Sequence, residues 1–158
     1  MVDLQVNYLA VLVCGVVSFV LGGLWYSPLL FAKKWVALLG KTQEELQKAS
    51  NPMMYVIGFV TGLISCFAIS CVVNAAGATT LVNGALIGFL CWLGFAGATS
   101  YNNQVNFVGK PPGLWAIDSG YNLASFIIAG AILAVWKSRL SLTNPLFSDK
   151  RGFGGRSA

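Results

Sequence analysis

Residues 7–31 read NYLAVLVCGVVSFVLGGLWYSPLLF, a run that contains no Asp, Glu, Lys, Arg or His. At about 1.5 Å of helical rise per residue, such a run is long enough to cross roughly 30 Å of hydrocarbon. Lipid is then the solvent, and backbone polar groups inside a bilayer must pair with one another. The run therefore predicts an all-α, polytopic membrane protein.

A cleaved signal peptide is the alternative interpretation of this first run. Signal peptides start with Lys or Arg and end at a cleavage site of small residues. Here Asp3 is the only charged residue before the run, and no A-x-A site follows. We therefore expect the first span to stay attached, over about residues 6–28.

Composition limits the class of protein. The 158 residues are 56% apolar and 9% charged, whereas ordinary soluble domains have about 25% charged residues. This excludes a soluble fold. The net charge is +5, but the Lys and Arg residues lie in linkers and in a tail and form no binding face, so no nucleic-acid partner is expected.

The sequence offers few groups for metal or redox chemistry. Histidine, the commonest metal ligand and general base, is absent. The four cysteines fall inside apolar runs without a C-x-x-C pair, and they read as small packing residues. They are Cys14, Cys66, Cys71 and Cys91. We expect no metal site, and the sequence identifies no cofactor.

Further apolar runs complete a predicted bundle of four transmembrane helices. The predicted spans are residues 6–28, 53–75, 81–100 and 114–136. Residues 101–113 read YNNQVNFVGKPPG and are expected to form a polar loop. The membrane domain is predicted at residues 1–137, with a polar tail at 138–158.

Two short helices are predicted between the first and second spans. Residues 29–39 read LLFAKKWVALL, an alternation of apolar and basic residues that is typical of a helix lying in the membrane interface. Thr42 and Glu45 have the spacing of a capping box, which predicts a polar helix at residues 43–49.

Small residues recur at every fourth position in span two, and glycines recur with the same spacing in span three. Such stripes let membrane helices approach closely, so we expect spans two and three to pack together. The stripe residues are Gly58, Gly62, Cys66 and Ser70 in span two, and Gly84 and Gly88 in span three.

Aromatic and basic residues mark the expected membrane interfaces. The predicted anchors are Lys33, Lys34 and Trp35 after span one, and Trp136 and Lys137 after span four. We call the N-terminal side of the membrane side A and the opposite side side B. The basic residues divide evenly between the two sides, so their number does not determine orientation. Asp3 before the first span and Lys33 and Lys34 after it favour side B, the side of the linker helices, as cytoplasmic.

Polar and aromatic residues from distant parts of the sequence are predicted to meet at side B. They are Trp25, Tyr26, Asn102, Asn103, Asp118, Tyr121 and Asn122. Asp118 is the only carboxylate within or at the edge of a span, where an ionised group is costly unless it is paired or wet. Helical spacing places Asp118, Asn122 and Ser125 on one face of span four.

Two accounts of Asp118 stay open. In the structural account it accepts hydrogen bonds from Tyr26, Asn102 or Asn103 and from N–H groups in the first turn of span four, whose dipole favours an anion. In the functional account it is the anionic wall of a pocket for a cation, a polar head group or a small ligand. Acids at helix starts are common caps, so the structural account is favoured.

Several of these stretches resemble a known family. LGGLWYSPLLF at residues 21–31, K-x-W at 33–35, YNN at 101–103 and AIDSGYNLASFIIAGAIL at 116–133 are similar to the small membrane proteins of domain of unknown function family 1761. The resemblance extends over nearly the whole chain up to Lys137 and implies a four-span bundle. It implies no established activity. The longer tail of this chain departs from the family's usual shape.

Three classes of function remain to be compared. An intramembrane enzyme is disfavoured, because one edge carboxylate without a histidine or a nucleophile motif is too little chemistry. A conducting path needs polar groups near the membrane midplane, and the side-A halves of the spans carry few of them. We therefore expect a non-enzymatic binding or assembly module that contacts membrane lipids and forms a homo-oligomer or joins a larger membrane complex. A transporter or channel subunit is the alternative.

Overall fold

The computed structural model describes residues 6–143, with side chains as far as Trp136. This part of the chain is helical and contains no strand. Its helices are α1 Tyr8–Trp25, α2 Ala32–Leu39, α3 Gln43–Ala49, α4 Pro52–Ala75, α5 Leu81–Phe107 and α6 Pro112–Thr143. Four of them, α1, α4, α5 and α6, are long and apolar enough to cross a membrane. The predicted all-α bundle of four spans is confirmed.

Residues close together in the sequence form both the N-terminal cap of α1 and the turn that follows it. The Asn7 side chain accepts a hydrogen bond from the Ala10 N–H at 3.2 Å and starts the helix. The helix ends at Trp25, and the Ser27 hydroxyl then donates to the Leu24 carbonyl at 2.7 Å. Pro28 has no N–H with which to continue the helix. The chain therefore turns back before α2, which begins at Ala32 and not at the predicted residue 29.

The predicted capping box of α3 is confirmed. The Thr42 hydroxyl accepts from the Glu45 N–H at 3.2 Å, and the Glu45 carboxylate accepts from the Thr42 N–H at 2.8 Å. The pKa of Glu45 lies below its usual value. The main cause is the hydrogen bond between its carboxylate and the Thr42 backbone N–H, and the Thr42 side chain contributes as well. The α4 helix follows at once, with the Asn51 side chain as its cap.

The predicted loop at residues 101–113 is wrong over its first half. Helix α5 continues to Phe107 through two π-helical segments, Trp92–Gly97 and Asn102–Phe107. Polar side chains bond within this helix; the Asn106 amide, for example, donates to the Asn102 side chain at 3.0 Å. The polar residues that predicted a loop therefore form the side-B end of a helix.

Helix α6 lies against α1, α4 and α5. Its closest approach is to α5, where Gly84 and Gly88 face Gly130 and Phe126. A Cβ atom on Gly84 would overlap the Gly130 carbonyl and would lie 2.6 Å from the Ala134 Cβ. Spans two and three therefore contact each other only marginally, and the predicted pairing through Gly84 and Gly88 is wrong, because both glycines face the backbone of span four.

Helix α4 packs over only part of its length. Cys66 and Ser70 are buried in the bundle as the stripe predicts. Within the described part of the chain, a Cβ on Gly58 or on Gly62 would have nothing within 4 Å, although Gly62 itself is half-buried. Every residue from 52 to 58 is exposed. We call residues 52–58 the open segment of α4.

The far end of the bundle differs from the prediction as well. Trp136, a predicted interfacial anchor, is half-buried and packs against the hydrophobic core. Lys137 lies in α6, but its side chain is outside the described residues. Helix α6 extends to Thr143. The first six residues of the predicted tail at 138–158 are thus helical, and the rest lie outside the described residues.

Candidate functional site

Asp118 is the point at which three elements meet. Its Oδ1 atom accepts a hydrogen bond from the Tyr26 hydroxyl at 2.9 Å and another from the Trp35 indole N–H at 2.8 Å. Tyr26 follows the last residue of α1, Trp35 lies in α2, and Asp118 lies in α6. We call these three residues the Asp118 clamp. Both donors are neutral, and the clamp ties the α1–α2 turn to α6.

Aromatic rings surround the clamp. The Tyr26 ring lies edge-on to Trp35 at 5.5 Å and to Tyr121 at 5.8 Å between ring centroids. The Trp25 indole donates to the Ile117 carbonyl at 3.0 Å, and the Tyr121 hydroxyl donates to the Ser18 carbonyl at 3.1 Å. Such residues combine a large apolar body with a polar tip that needs a partner when buried. The structure thus brings together four of the predicted residues: Trp25, Tyr26, Asp118 and Tyr121.

Three predicted residues stand apart from the clamp. Asn102 and Asn103 are exposed on the second π-helical segment of α5, and Asn102 pairs with Asn106. Asn122 is exposed, and its amide donates to the Asp118 main-chain carbonyl at 3.2 Å. The expected hydrogen bonds from Asn102 or Asn103 to Asp118 are therefore wrong, because α5 continues as a helix that carries both asparagines past the clamp.

Asp118 is also not a cap of the first turn of α6. The helix begins at Pro112, so Asp118 lies almost two turns inside it. At that depth the N–H groups of the helix are already bonded to carbonyls of the preceding turn. The predicted capping role is wrong, and the side chain is satisfied by Tyr26 and Trp35 instead.

Trp35 is the functional residue that sequence reasoning missed. It was predicted as an interfacial anchor together with Lys33 and Lys34, and both lysines are indeed exposed. The Trp35 side chain is half-buried and lies on the face of α2 that also carries buried Ala32. The spacing of Ala32 and Trp35, three residues apart, is a helical-face signal that predicts docking onto a neighbour.

Trp35→Phe should weaken the docking of α2. The change keeps most of the ring but removes the N–H, so Asp118 loses one donor, at a cost of about 1–3 kcal/mol in the free energy of unfolding. The measurement is thermal unfolding in detergent together with the rate of trypsin cleavage at the exposed lysines of α2, which should rise. Lys34→Gln, an exposed change on the same helix, is the stability control. Unchanged melting of Trp35→Phe would contradict the docking role of the indole.

A small cavity lies deeper in the bundle than the clamp. It has a volume of about 40 Å³ and lies between α1, α4 and α6. Its polar lining consists of Ser18, Ser65, Cys66, Tyr121, Asn122 and Ser125. Tyr121 and Asn122 are predicted pocket residues, whereas Trp25, Tyr26 and Asp118 do not line this cavity. The polar cavity is therefore displaced from the carboxylate toward the middle of α6.

The chemistry of the site is limited. Among the described residues, no three side chains of Cys, Asp, Glu or His lie close enough together to hold a metal ion. Cys14, Cys66 and Cys91 are buried and Cys71 is half-buried, all as free thiols. The arrangement around Asp118 can hold helices together and orient aromatic rings.

Comparison with known proteins identifies a family. The model of a family described as "Protein of unknown function (DUF1761)" matches residues 9–134. Neither the search of curated proteins nor the search of solved structures finds a match.

Proposed function

The chain belongs to the DUF1761 family of proteins of unknown function, and we propose that it is a non-enzymatic assembly module of a membrane. In this proposal the open segment of α4 receives a transmembrane helix of a second copy of the chain. The observation that carries the proposal is the exposure of every residue from 52 to 58 in a span whose other half is packed.

The physical basis is the packing of helices in lipid. Lipid tails are as apolar as leucine, so helices associate through close van der Waals contact, which small residues permit. Gly58 and Gly62 offer a surface with nothing within 4 Å of either Cβ position. The chain uses the same four-residue spacing once already, since Gly84 and Gly88 bring α5 against the backbone of α6.

A second copy is the partner that this surface favours. The open segment is identical in every copy, so two of them can pack about a twofold axis with the same residues on both sides. A larger membrane complex, in which another protein supplies the helix, is the alternative partner. Lipid is expected to contact the remaining apolar faces of the spans.

The Asp118 clamp supports a structural account of the carboxylate. Its Oδ1 has two donors from the same chain, and the cavity of about 40 Å³ is lined by other residues. Both donors to this oxygen, the Tyr26 hydroxyl and the Trp35 indole N–H, join helices to one another, which is why the proposal is non-enzymatic. The exposed Lys33 and Lys34 beside it support placing side B in the cytoplasm.

A transporter or channel subunit for a small solute or ion is the second candidate. The polar cavity favours it, because a pathway needs polar groups near the midplane. Against it, the side-A floor of the cavity includes Ile69 and Ala129, which are apolar and buried. Assembly through α4 is therefore the better supported function.

Gly58→Leu should weaken self-association by about tenfold or more, because a branched side chain on the small-residue face holds two helices apart. The measurement is subunit counting by photobleaching of single-site-labelled full-length protein in liposomes over a range of protein-to-lipid ratios. Within one chain the new side chain enters open space, so the melting temperature should stay near that of the wild type.

Gly23→Leu is the matched control, because a Cβ on Gly23 also has nothing within 4 Å and the residue is exposed in a span. It should leave the subunit count unchanged. A wild-type protein that counts as a monomer at all ratios, or a Gly58→Leu variant that associates like the wild type, would refute assembly through this segment.

A further inference from the structure

Ser125 carries a polar atom that the fold leaves without a partner. Its Oγ atom has no hydrogen-bond partner within the described part of the chain, and the residue is only 7% exposed. A buried hydroxyl without a partner costs about 1–3 kcal/mol. Two other buried serines have a partner: Ser18 lies 3.9 Å from the Cys66 thiol, and Ser119 accepts from the Trp92 indole at 3.2 Å.

The unpartnered hydroxyl lines the cavity between α1, α4 and α6. The cavity volume of about 40 Å³ exceeds the roughly 10–15 Å³ that a cavity needs to hold one water molecule. A buried water needs two to four polar partners. Ser125, Ser18 and Ser65 supply hydroxyl groups around this volume, and Asn122 supplies an amide.

The lining also limits the charge of a ligand. None of the described Asp, Glu, Lys or Arg side chains lines the cavity. An ion in this low-dielectric position would have no countercharge, at a cost far above that of a neutral molecule. A molecule held in this cavity would therefore be neutral and small.

The position of the cavity provides a route of entry. On α4 the cavity is lined by Cys66, which is buried, and by Gly62, one turn nearer the open segment. Because Gly62 has no side chain, the space beside it is open. Asn122, which is exposed, lies at the rim. The open space beside Gly62 and the exposed Asn122 therefore give a small neutral molecule access without separation of the packed half of the bundle.

We propose that Ser125 holds a water molecule in the cavity at the junction of α1, α4 and α6. The water accepts from or donates to the Ser125 hydroxyl and bridges it to polar groups of the neighbouring helices. The site adjoins the assembly surface at Gly62, which lines the cavity, but Gly58, the residue changed to test assembly, does not line it.

Radiolytic labelling tests this proposal directly, since hydroxyl radicals formed from a bound water modify the side chains next to it. Cys66 and Cys14 form a matched pair: both are buried thiols, at 2% and 1% exposure, but only Cys66 lines the cavity. In the full-length protein in detergent, Cys66 should be modified several-fold faster than Cys14. Equal rates at the two thiols would overturn the proposal.

Ser125→Ala gives a second test, in which the direction of the change in melting temperature distinguishes a bound water from a dry cavity. If a water satisfies the hydroxyl, its removal loses a hydrogen bond and should lower the melting temperature by about 2–4 °C. The preferential labelling of Cys66 should fall at the same time. A rise in melting temperature would show that the hydroxyl is unsatisfied in a dry cavity, and it would overturn the proposal while leaving assembly through α4 untouched.

Discussion

Gly88→Ala is expected to lower the free energy of unfolding by about 3 kcal/mol or more, or to prevent folding, because it overpacks the contact between α5 and α6. A Cβ on Gly88 would overlap the Phe126 carbonyl and would lie 3.0 Å from the Ile127 Cα. These neighbours are backbone atoms of a helix, which cannot rotate away as a side chain can. The two helices must therefore separate, and the buried contacts on both sides of Gly88 are lost.

The measurement is thermal and denaturant unfolding of the purified protein in detergent, followed by circular dichroism. Gly58→Ala is the matched control, since that Cβ enters open space. Alanine is a better helix former than glycine by about 1 kcal/mol, so the control should melt at or slightly above the wild-type temperature. A Gly88→Ala protein that melts with the wild type would mean that α5 and α6 are not in backbone contact.

Asp118→Ala is expected to cost about 3 kcal/mol, because it leaves two donors, the Tyr26 hydroxyl and the Trp35 indole N–H, without their acceptor. Two donors are affected at once, which places this effect above that of a single average side-chain bond. The α1–α2 turn should detach from α6. Faster trypsin cleavage at the exposed Lys33 and Lys34 would report that detachment.

Asp118→Asn separates geometry from charge. An asparagine oxygen can accept from both Tyr26 and Trp35, so this variant should lose only about 1 kcal/mol. A double-mutant cycle with Tyr26→Phe measures the coupling between the two side chains directly. Full stability of Asp118→Ala, combined with altered association or transport, would move Asp118 from a structural to a functional role.

The four spans and the cap of α3 could be predicted because their causes are local. Transfer of an apolar run into lipid depends on the residues of that run, and a bilayer forces it to be helical. The capping box depends on Thr42 and Glu45, which lie three residues apart. Neither prediction requires knowledge of which helix lies next to which.

Of the hydrogen-bond donors predicted for Asp118, one is confirmed and the others are wrong. Tyr26 is its donor as expected. Asn102 and Asn103 are not, because polar residues at the end of α5 bond within their own helix and extend it. The second donor is Trp35, which lies in α2. Lys33 and Lys34 come directly before it, and these two lysines led to the prediction of α2 as an anchor at the membrane interface.

The amino-acid sequence by itself determined the all-α class and the number of helices long and apolar enough to cross a membrane, because hydrophobicity and helix capping act within one segment. Only the tertiary structure decided which helices pack against each other. The glycines of α4 and α5 have the same spacing, yet Gly88 faces the backbone of α6 and Gly58 faces open space. Close packing depends on the shapes of two surfaces at once, so one stripe of small residues does not specify the helix that covers it.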